Sequence, residues 1–494
     1  MKKVKILLAL GALMFSHPAW LYAAGPQNPA KPNIVFIIVD QWRAQATGYA
    51  GDKNVLTPNL DKLAARSLHV KNAVSGMPVC TPYRASLLSG QYPLTTGVFM
   101  NDVMLDTTKT TLAKVYRESG YTTGFIGKWH IDGHGRSSYI PETRHQGFEY
   151  WKALECTHNY NRSPYYAGNS PQKLFWEGYD AIAQSADAAR FITRQAKTAR
   201  PFLLFVSLGP PHDPYQTAPE KYKKLYENKD IIVNPNVPEE FREKVKKDLK
   251  GYYAHMTAID ESIGQLWQAL REAGIEKNTI LVFTADHGDL LGAHGSWNKQ
   301  QPYAESVKVP FLVHYPAAFG TSGKISPSLL NTPDIMPTLL GLTGLPIPKG
   351  VEGTDFSGVW KGKKKDPVSH TLISCVQPFG QWHRGKGGKE YRGLVTTQYT
   401  YVKDLNGPWL LFDNIKDPFQ LNNLVGKASH AQVQQKLEAA LKATLAQRGD
   451  AFRPGMEYVR KWNYVVDETE TVPYININFE GKALNELQTD NRKR

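Results

Sequence analysis

Asn33-Ile34-Val35-Phe36-Ile37-Ile38-Val39 carries no charge and stops at Asp40. The run is too short for a buried helix and rich in branched side chains. It therefore reads as a strand buried on both faces, as in a parallel sheet covered by helices. Phe202-Leu203-Leu204-Phe205-Val206, Thr279-Ile280-Leu281-Val282-Phe283 and Pro310-Phe311-Leu312-Val313 repeat the pattern. Helical stretches lie between these runs. Thr57-Pro58 offers a cap and a first-turn proline ahead of Leu60, Leu63 and Ala64, and residues 185–197 and 239–273 supply longer helices. Alternating strands and helices predict an α/β fold: a large mixed, mostly parallel sheet sandwiched by helices.

The pattern changes after Leu345-Pro346-Ile347-Pro348. Lys361-Gly362-Lys363-Lys364-Lys365-Asp366-Pro367 reads as a solvated joint. Beyond it, residues 391–395, 399–402 and 409–412 alternate as antiparallel strands do, and residues 432–448 form an amphipathic helix. A chain of 494 residues exceeds one ordinary core. The expected division is a signal peptide over 1–24, a catalytic domain over 25–365 and a smaller C-terminal α+β domain with an antiparallel sheet over 366–494.

Lys2, Lys3 and Lys5, an apolar run from Ile6 to Phe15 and the small-residue exit Ala23-Ala24 have the form of an export signal. That run falls short of the roughly 20 residues a membrane span needs, so a periplasmic or secreted protein without stable membrane insertion is expected. Removing the three lysines takes the formal charge from +14 to +11. A positive excess in an exported protein suits acidic substrates. Zinc knuckle, RNP and helix-turn-helix patterns are lacking, so nucleic acid is not the expected partner. Cys80, Cys156 and Cys375 are the three cysteines, so at least one is unpaired; a Cys156–Cys375 disulfide stays open.

In open α/β sheets, ligands collect at the carboxyl ends of the strands. Asp40, Pro211-His212 and Asp286-His287 each follow an apolar run there. Asp40 and Asp286 are hard oxygen donors suited to calcium or magnesium, with Gln41 and His287 beside them. Cys80-Thr81-Pro82-Tyr83-Arg84 opens a further helical stretch, with Gly90 six residues past the arginine.

This last segment resembles the signature of the formylglycine-dependent sulfatases of the alkaline phosphatase superfamily, Cys-x-Pro-x-Arg followed by a glycine. Tyr83 stands where that family usually has serine, and Gln41 where it often has aspartate. The resemblance extends over roughly residues 32–350, taking in Gly127-Lys128-Trp129-His130, Pro210-Pro211-His212-Asp213 and Trp297-Asn298-Lys299. It implies that a maturase oxidises Cys80 to formylglycine, whose hydrated aldehyde is the nucleophile. A calcium ion, or magnesium, would be held by Asp40, Gln41, Asp286, His287 and the modified Cys80. Arg84 would fix the nucleophile, Lys128 would hold a sulfate oxygen, Lys299 would bridge sulfate and the leaving oxygen, His212 would protonate the leaving alcohol, and His130 would act on the hydrated aldehyde.

The implied activity is sulfate-ester hydrolysis on a sulfated oligo- or polysaccharide, such as an algal galactan of the carrageenan kind or a glycosaminoglycan. Phosphomonoester or phosphonate hydrolysis by the same superfamily, and non-catalytic glycan binding with Cys80 unmodified, stay open. His158, Trp382, His383 and Arg384 lie in irregular stretches of both parts of the chain. They are the aromatic, imidazole and guanidinium groups left for sugar, carboxylate or sulfate contact.

Overall fold

A computed structural model describes residues 31–473; the expected export signal lies outside them. Ten strands form one sheet: β1 Asn33–Asp40, β2 Leu68–Val74, β3 Thr122–Lys128, β4 Tyr150–Leu154, β5 Pro164–Ala167, β6 Leu174–Phe175, β7 Phe202–Pro211, β8 Thr279–Ala285, β9 Phe311–His314 and β10 Lys324–Asn331. Their order is β10-β2-β9-β8-β1-β7-β3-β4-β5-β6. At the centre β1 pairs in parallel with β7 and β8, Ile34 lying opposite both Leu203 and Ile280. β3 runs parallel to β7 and β4. β9 is antiparallel to both its neighbours, and so is β5.

Ile34 to Asp40 are all buried, as strand residues covered on both faces must be. β8 is likewise buried throughout. The expected helices appear at Pro58–Ala64, Asp180–Gln195 and Arg242–Glu272. The longest spans 31 residues and turns Tyr252, Ile259, Leu266 and Leu270 to the core. Because β1, β3, β7 and β8 point the same way, their carboxyl ends open on one edge of the sheet. That edge is where the chemistry gathers.

The second sheet is antiparallel, ordered β11 Thr371–Cys375, β12 Tyr391–Val395, β13 Tyr399–Asp404 and β14 Gly407–Asp413. One face packs on the Ala431–Gln447 helix through Leu394, Tyr401, Leu437 and Leu441. The other joins Ile373, Tyr391 and Val402 to Val74, Val307 and Leu329 of the first part. Polar ties reinforce this seam: Asn331 Nδ2 donates to Leu372 O at 2.9 Å, and Tyr391 Oη to Gln300 O at 2.7 Å. Lys363 to Pro367 are exposed, yet the described residues from Pro32 to Pro473 cluster as one compact unit. All three cysteines are free and buried. Cys375 sits in the core of the second sheet, and no disulfide joins it to Cys156.

Candidate active site

The site is built from the ends of β1, β3, β8 and β7, the last leading into His212, and from one helix start. β1 delivers Asp40, and the chain then turns at Gln41 with φ of 67°. β8 delivers Asp286 and His287, while β3 delivers Lys128 and, with φ of 57°, His130. Non-glycine residues in the left-handed region cost energy and are held there by their surroundings. Cys80 is the first residue of the Cys80–Ser89 helix, all ten of whose residues are buried. A helix start with free N–H groups favours negative charge. Gly90 ends that helix with φ of 65°, and a Cβ there would meet Val351 Cγ1 at 2.8 Å, so glycine is required twice over.

Asp40, Cys80, Asp286 and His287 each bring a donor atom into one cluster, all within 4.8 Å of one another. His287 Nε2 lies 3.2 Å from Cys80 Sγ, and Asp40 Oδ1 lies 3.7 Å from it. His287 Nδ1 donates to Gly288 O at 2.9 Å, which leaves the Nε2 lone pair facing the cluster. Gln41 is oriented at its far end: Nε2 donates to Asp289 Oδ2 at 2.8 Å, so Oε1 faces inward, 3.0 Å from Lys299 Nζ. Two carboxylates, an amide oxygen and an imidazole nitrogen thus converge, a predominantly hard donor set that fits a divalent cation.

Cations surround the same atoms. Lys128 Nζ donates to Asp40 Oδ2 at 2.5 Å, and Arg84 Nη2 spans Asp40 Oδ2 at 3.3 Å and Asp286 Oδ2 at 3.0 Å. Ser207 accepts from Arg84 Nη1 at 2.7 Å, and Lys128 O does so at 3.0 Å. Lys299 Nζ stands 3.3 Å from Cys80 Sγ and 2.9 Å from His212 Nε2. Burial raises the Asp40 carboxyl, but Lys128, His212 and Lys299 outweigh it and hold that group well below the usual range. Burial and Lys299 together push the His212 imidazole down.

A cleft of 390 Å³ opens over these groups, lined by Cys80, Lys128, His130, His212 and Lys299 from the large sheet. Gln381, Lys386, Asp467, Thr469 and Thr471 wall its other side. The volume lies within the range of small-ligand pockets. A larger surface hollow of 820 Å³ lies between Arg190, Arg194 and Gln268, remote from any of the converging donors.

The structure thus brings together the positions Asp40, Gln41, Cys80, Arg84, Lys128, His130, His212, Asp286, His287 and Lys299. The four positions expected to contact sugar fare differently. His158 is exposed in the cleft, its ring stacked on His212 at 4.6 Å and 9°. Trp382, His383 and Arg384 do not line it. Trp382 is buried against Tyr391, and the His383 side chain accepts from Gly385 N at 3.2 Å as a cap. Arg384 pairs with Glu470 at 2.5 Å and with Glu390, so its charge is spent inside the fold. Gln381 and Lys386, on the same loop, reach the cleft instead. Tyr165 and Tyr166 are also packed, against Trp176 and against Ser137 O.

Several residues escaped sequence reading. Ser207, a hydroxyl inside an apolar strand, anchors Arg84 and Lys128 O. Asp289, three residues past Asp286, orients Gln41; a hydroxyl within an apolar run and an acid close after Asp286-His287 are the marks that could have pointed to them. Asp102, Arg136 and the 467–471 segment carry no local mark.

A parallel-sheet edge with converging carboxylates, lysines and a helix-start cysteine defines a hydrolase of anionic esters. Residues 32–345 match the sulfatase family, and residues 292–447 match the family described as N-sulphoglucosamine sulphohydrolase, C-terminal. The chain belongs to the sulfatase family and is a sulfuric ester hydrolase. It is 45% identical over 454 residues to an ulvan-active sulfatase of Formosa agariphila, covering 91% of this chain and 88% of that protein. An endo-4-O-sulfatase of Bacteroides thetaiotaomicron is 30% identical, over 80% of this chain and 88% of that protein. Among solved structures, a putative sulfatase YidJ from Bacteroides fragilis superposes with a TM-score of 0.78 at 28% identity, over 88% of this chain and 99% of that one. Among the described residues no helix is long and apolar enough to cross a membrane.

Proposed function

We propose that this chain is an exported, calcium-dependent carbohydrate sulfatase whose Cys80 is converted to formylglycine by a maturase. Its substrate is a sulfated polysaccharide, for which an ulvan-type algal polymer is the first to assay because the relative at 45% identity is named for it. One observation carries the reading: Cys80 Sγ sits at a helix start with Lys299 Nζ at 3.3 Å, His287 Nε2 at 3.2 Å and Asp40 Oδ1 at 3.7 Å. Such a position suits an oxygen nucleophile held between a cation site and a lysine.

Asp40, Gln41, Asp286 and His287, with the modified side chain at position 80, would hold calcium, which would supply positive charge for the sulfate, while the hydrated aldehyde at position 80 would supply the attacking hydroxyl. Arg84 fixes the position-80 side chain relative to both carboxylates. Lys128 and Lys299 complete the cationic cradle for sulfate. His212, whose imidazole burial and Lys299 hold down in the protein alone, gives a proton to the departing sugar oxygen once the negative charge of bound sulfate offsets Lys299. His130 takes a proton from the position-80 side chain so that sulfate can leave. His158 and the wall formed by Gln381 and Lys386 meet the sugar.

A two-metal phosphatase needs more ligands; a single four-residue cluster among the described residues favours the one-metal reading. Peptide mass analysis of the mature protein should show the segment around Cys80 with its sulfur replaced by an aldehyde oxygen. Parallel assays should show sulfate release from the polysaccharide, lost on chelation and restored by calcium. Faster turnover of phosphate esters than of sulfate esters, or full activity with an intact thiol, would overturn it.

A further inference from the structure

His130 has two ring nitrogens in different surroundings. Nε2 lies 3.3 Å from Asp102 Oδ1, whereas Nδ1 is buried without a hydrogen-bond partner. Asp102 is itself 4% exposed. Arg136 grips its carboxylate with both ends of the guanidinium, Nε to Oδ1 at 2.8 Å and Nη2 to Oδ2 at 2.7 Å. Paired contacts of this kind fix the plane of the carboxylate as well as its place. Nothing in the sulfate-cradling set described above assigns these two residues a part.

The backbone ties Asp102 to position 80. Thr81 N donates to Asn101 Oδ1 at 3.1 Å, and Asp102 N donates to Thr81 Oγ1 at 3.4 Å. Leu105 N then donates to Ile131 O at 2.9 Å, binding the same loop to the segment that carries His130. Asp102 and His130 both hold left-handed backbone, with φ of 63° and 57°. Two non-glycine residues kept in that region side by side require a surrounding structure that specifies them. The loop is therefore a rigid bracket between the start of the Cys80 helix and the end of β3.

We propose that Asp102, clamped by Arg136, is a positioning residue that sets the tautomer and ring plane of His130. Its carboxylate accepts a hydrogen bond from Nε2–H, which keeps the proton on that nitrogen and leaves the buried Nδ1 lone pair as the base. The inference rests on the role given to His130 above, and it adds the device that makes one nitrogen the base. A carboxylate at one nitrogen of a working imidazole acts in this way in metal and hydrolase sites.

A double-mutant cycle on the full, calcium-loaded enzyme tests it, with an aryl sulfate and the polysaccharide as substrates. Asp102→Asn presents an amide where the carboxylate was. It should lower kcat on the order of 10- to 100-fold, with KM for the aryl sulfate unchanged and the same loss for good and poor leaving groups. Combined with His130→Ala it should cost nothing further, since there is no ring left to position. Should Asp102→Asn fail to fold, Arg136→Gln loosens the clamp and serves in the same cycle. Additive losses, or wild-type kcat in the Asp102 and Arg136 variants while His130→Ala is slow, overturn the positioning role alone. Wild-type kcat in His130→Ala overturns the reading of His130 itself and the inference with it.

Discussion

Asp286 serves three partners at once. Its Oδ1 accepts from the backbone N–H of Gln41 at 3.1 Å and of His287 at 2.9 Å, and its Oδ2 from Arg84 at 3.0 Å. Asp286→Asn keeps the volume but removes a hard anionic donor from the cation site. We expect turnover to fall by at least about 1000-fold, with calcium affinity weakened in titration calorimetry. Calcium binding as tight as in the unaltered protein would remove Asp286 from the ligand set. His212 makes a different prediction. His212→Ala should slow polysaccharide desulfation on the order of 100- to 10,000-fold, as loss of a general acid does, and aryl sulfates with acidic leaving groups far less. Equal losses on both would place His212 outside proton transfer.

At the scale of elements, β3 must approach β7 closely enough to set Lys128 beside Asp40. Gly127 allows it: φ is 108°, and a Cβ would lie 2.0 Å from Ser207 O. Gly127→Ala should therefore force the two strands apart and cost about 3 kcal/mol or more, combining a disallowed backbone angle with a clash against a carbonyl. Thermal unfolding measures the cost, and activity should fall with it because Ser207 holds both Arg84 and Lys128 O. An unchanged midpoint would show that the strands can part without penalty. The same strand shows where sequence reading stops. Thr122-Thr123-Gly124-Phe125-Ile126-Gly127-Lys128 is interrupted by two glycines and lacks the apolar run that marks β1, β7 and β8. Its glycines answer to neighbouring chains, which a local pattern cannot register.

At the scale of the whole molecule, the second sheet closes the cleft rather than standing apart from it. The resulting wall separates the fates of two neighbouring cations. Lys386 is exposed in the cleft, so Lys386→Ala should raise KM for the sulfated oligosaccharide about fivefold, the loss of one solvent-facing charge contact, and leave KM for an aryl sulfate alone. Arg384 is bound to Glu390 and Glu470. Arg384→Ala should lower stability by about 1 kcal/mol given its partial exposure, read as a lower thermal midpoint, without a preference between substrates. The reverse assignment of effects would exchange the roles of the two residues.

What could be read in the linear chain was whatever depends on near neighbours. The apolar runs ending at Asp40, Pro211 and Ala285 mark strands buried on both faces, because burial of a whole strand needs no information beyond its own residues. The helix over Arg242–Glu272 and the antiparallel strands β12 to β14 were legible for the same reason of period. So were the positions at the strand ends, since parallel strands deliver their carboxyl ends to one edge. Tertiary structure alone decided the rest. Trp382 and Arg384 have the composition of a sugar platform, but packing on Tyr391 and pairing with Glu390 and Glu470 turn them inward. Asp102 and Arg136 stand 34 residues apart, and their pairing beside His130 is made by loops whose path no periodicity encodes. Local chemistry is written in residue type and spacing; which side chains face the cleft depends on contacts between segments distant in the chain.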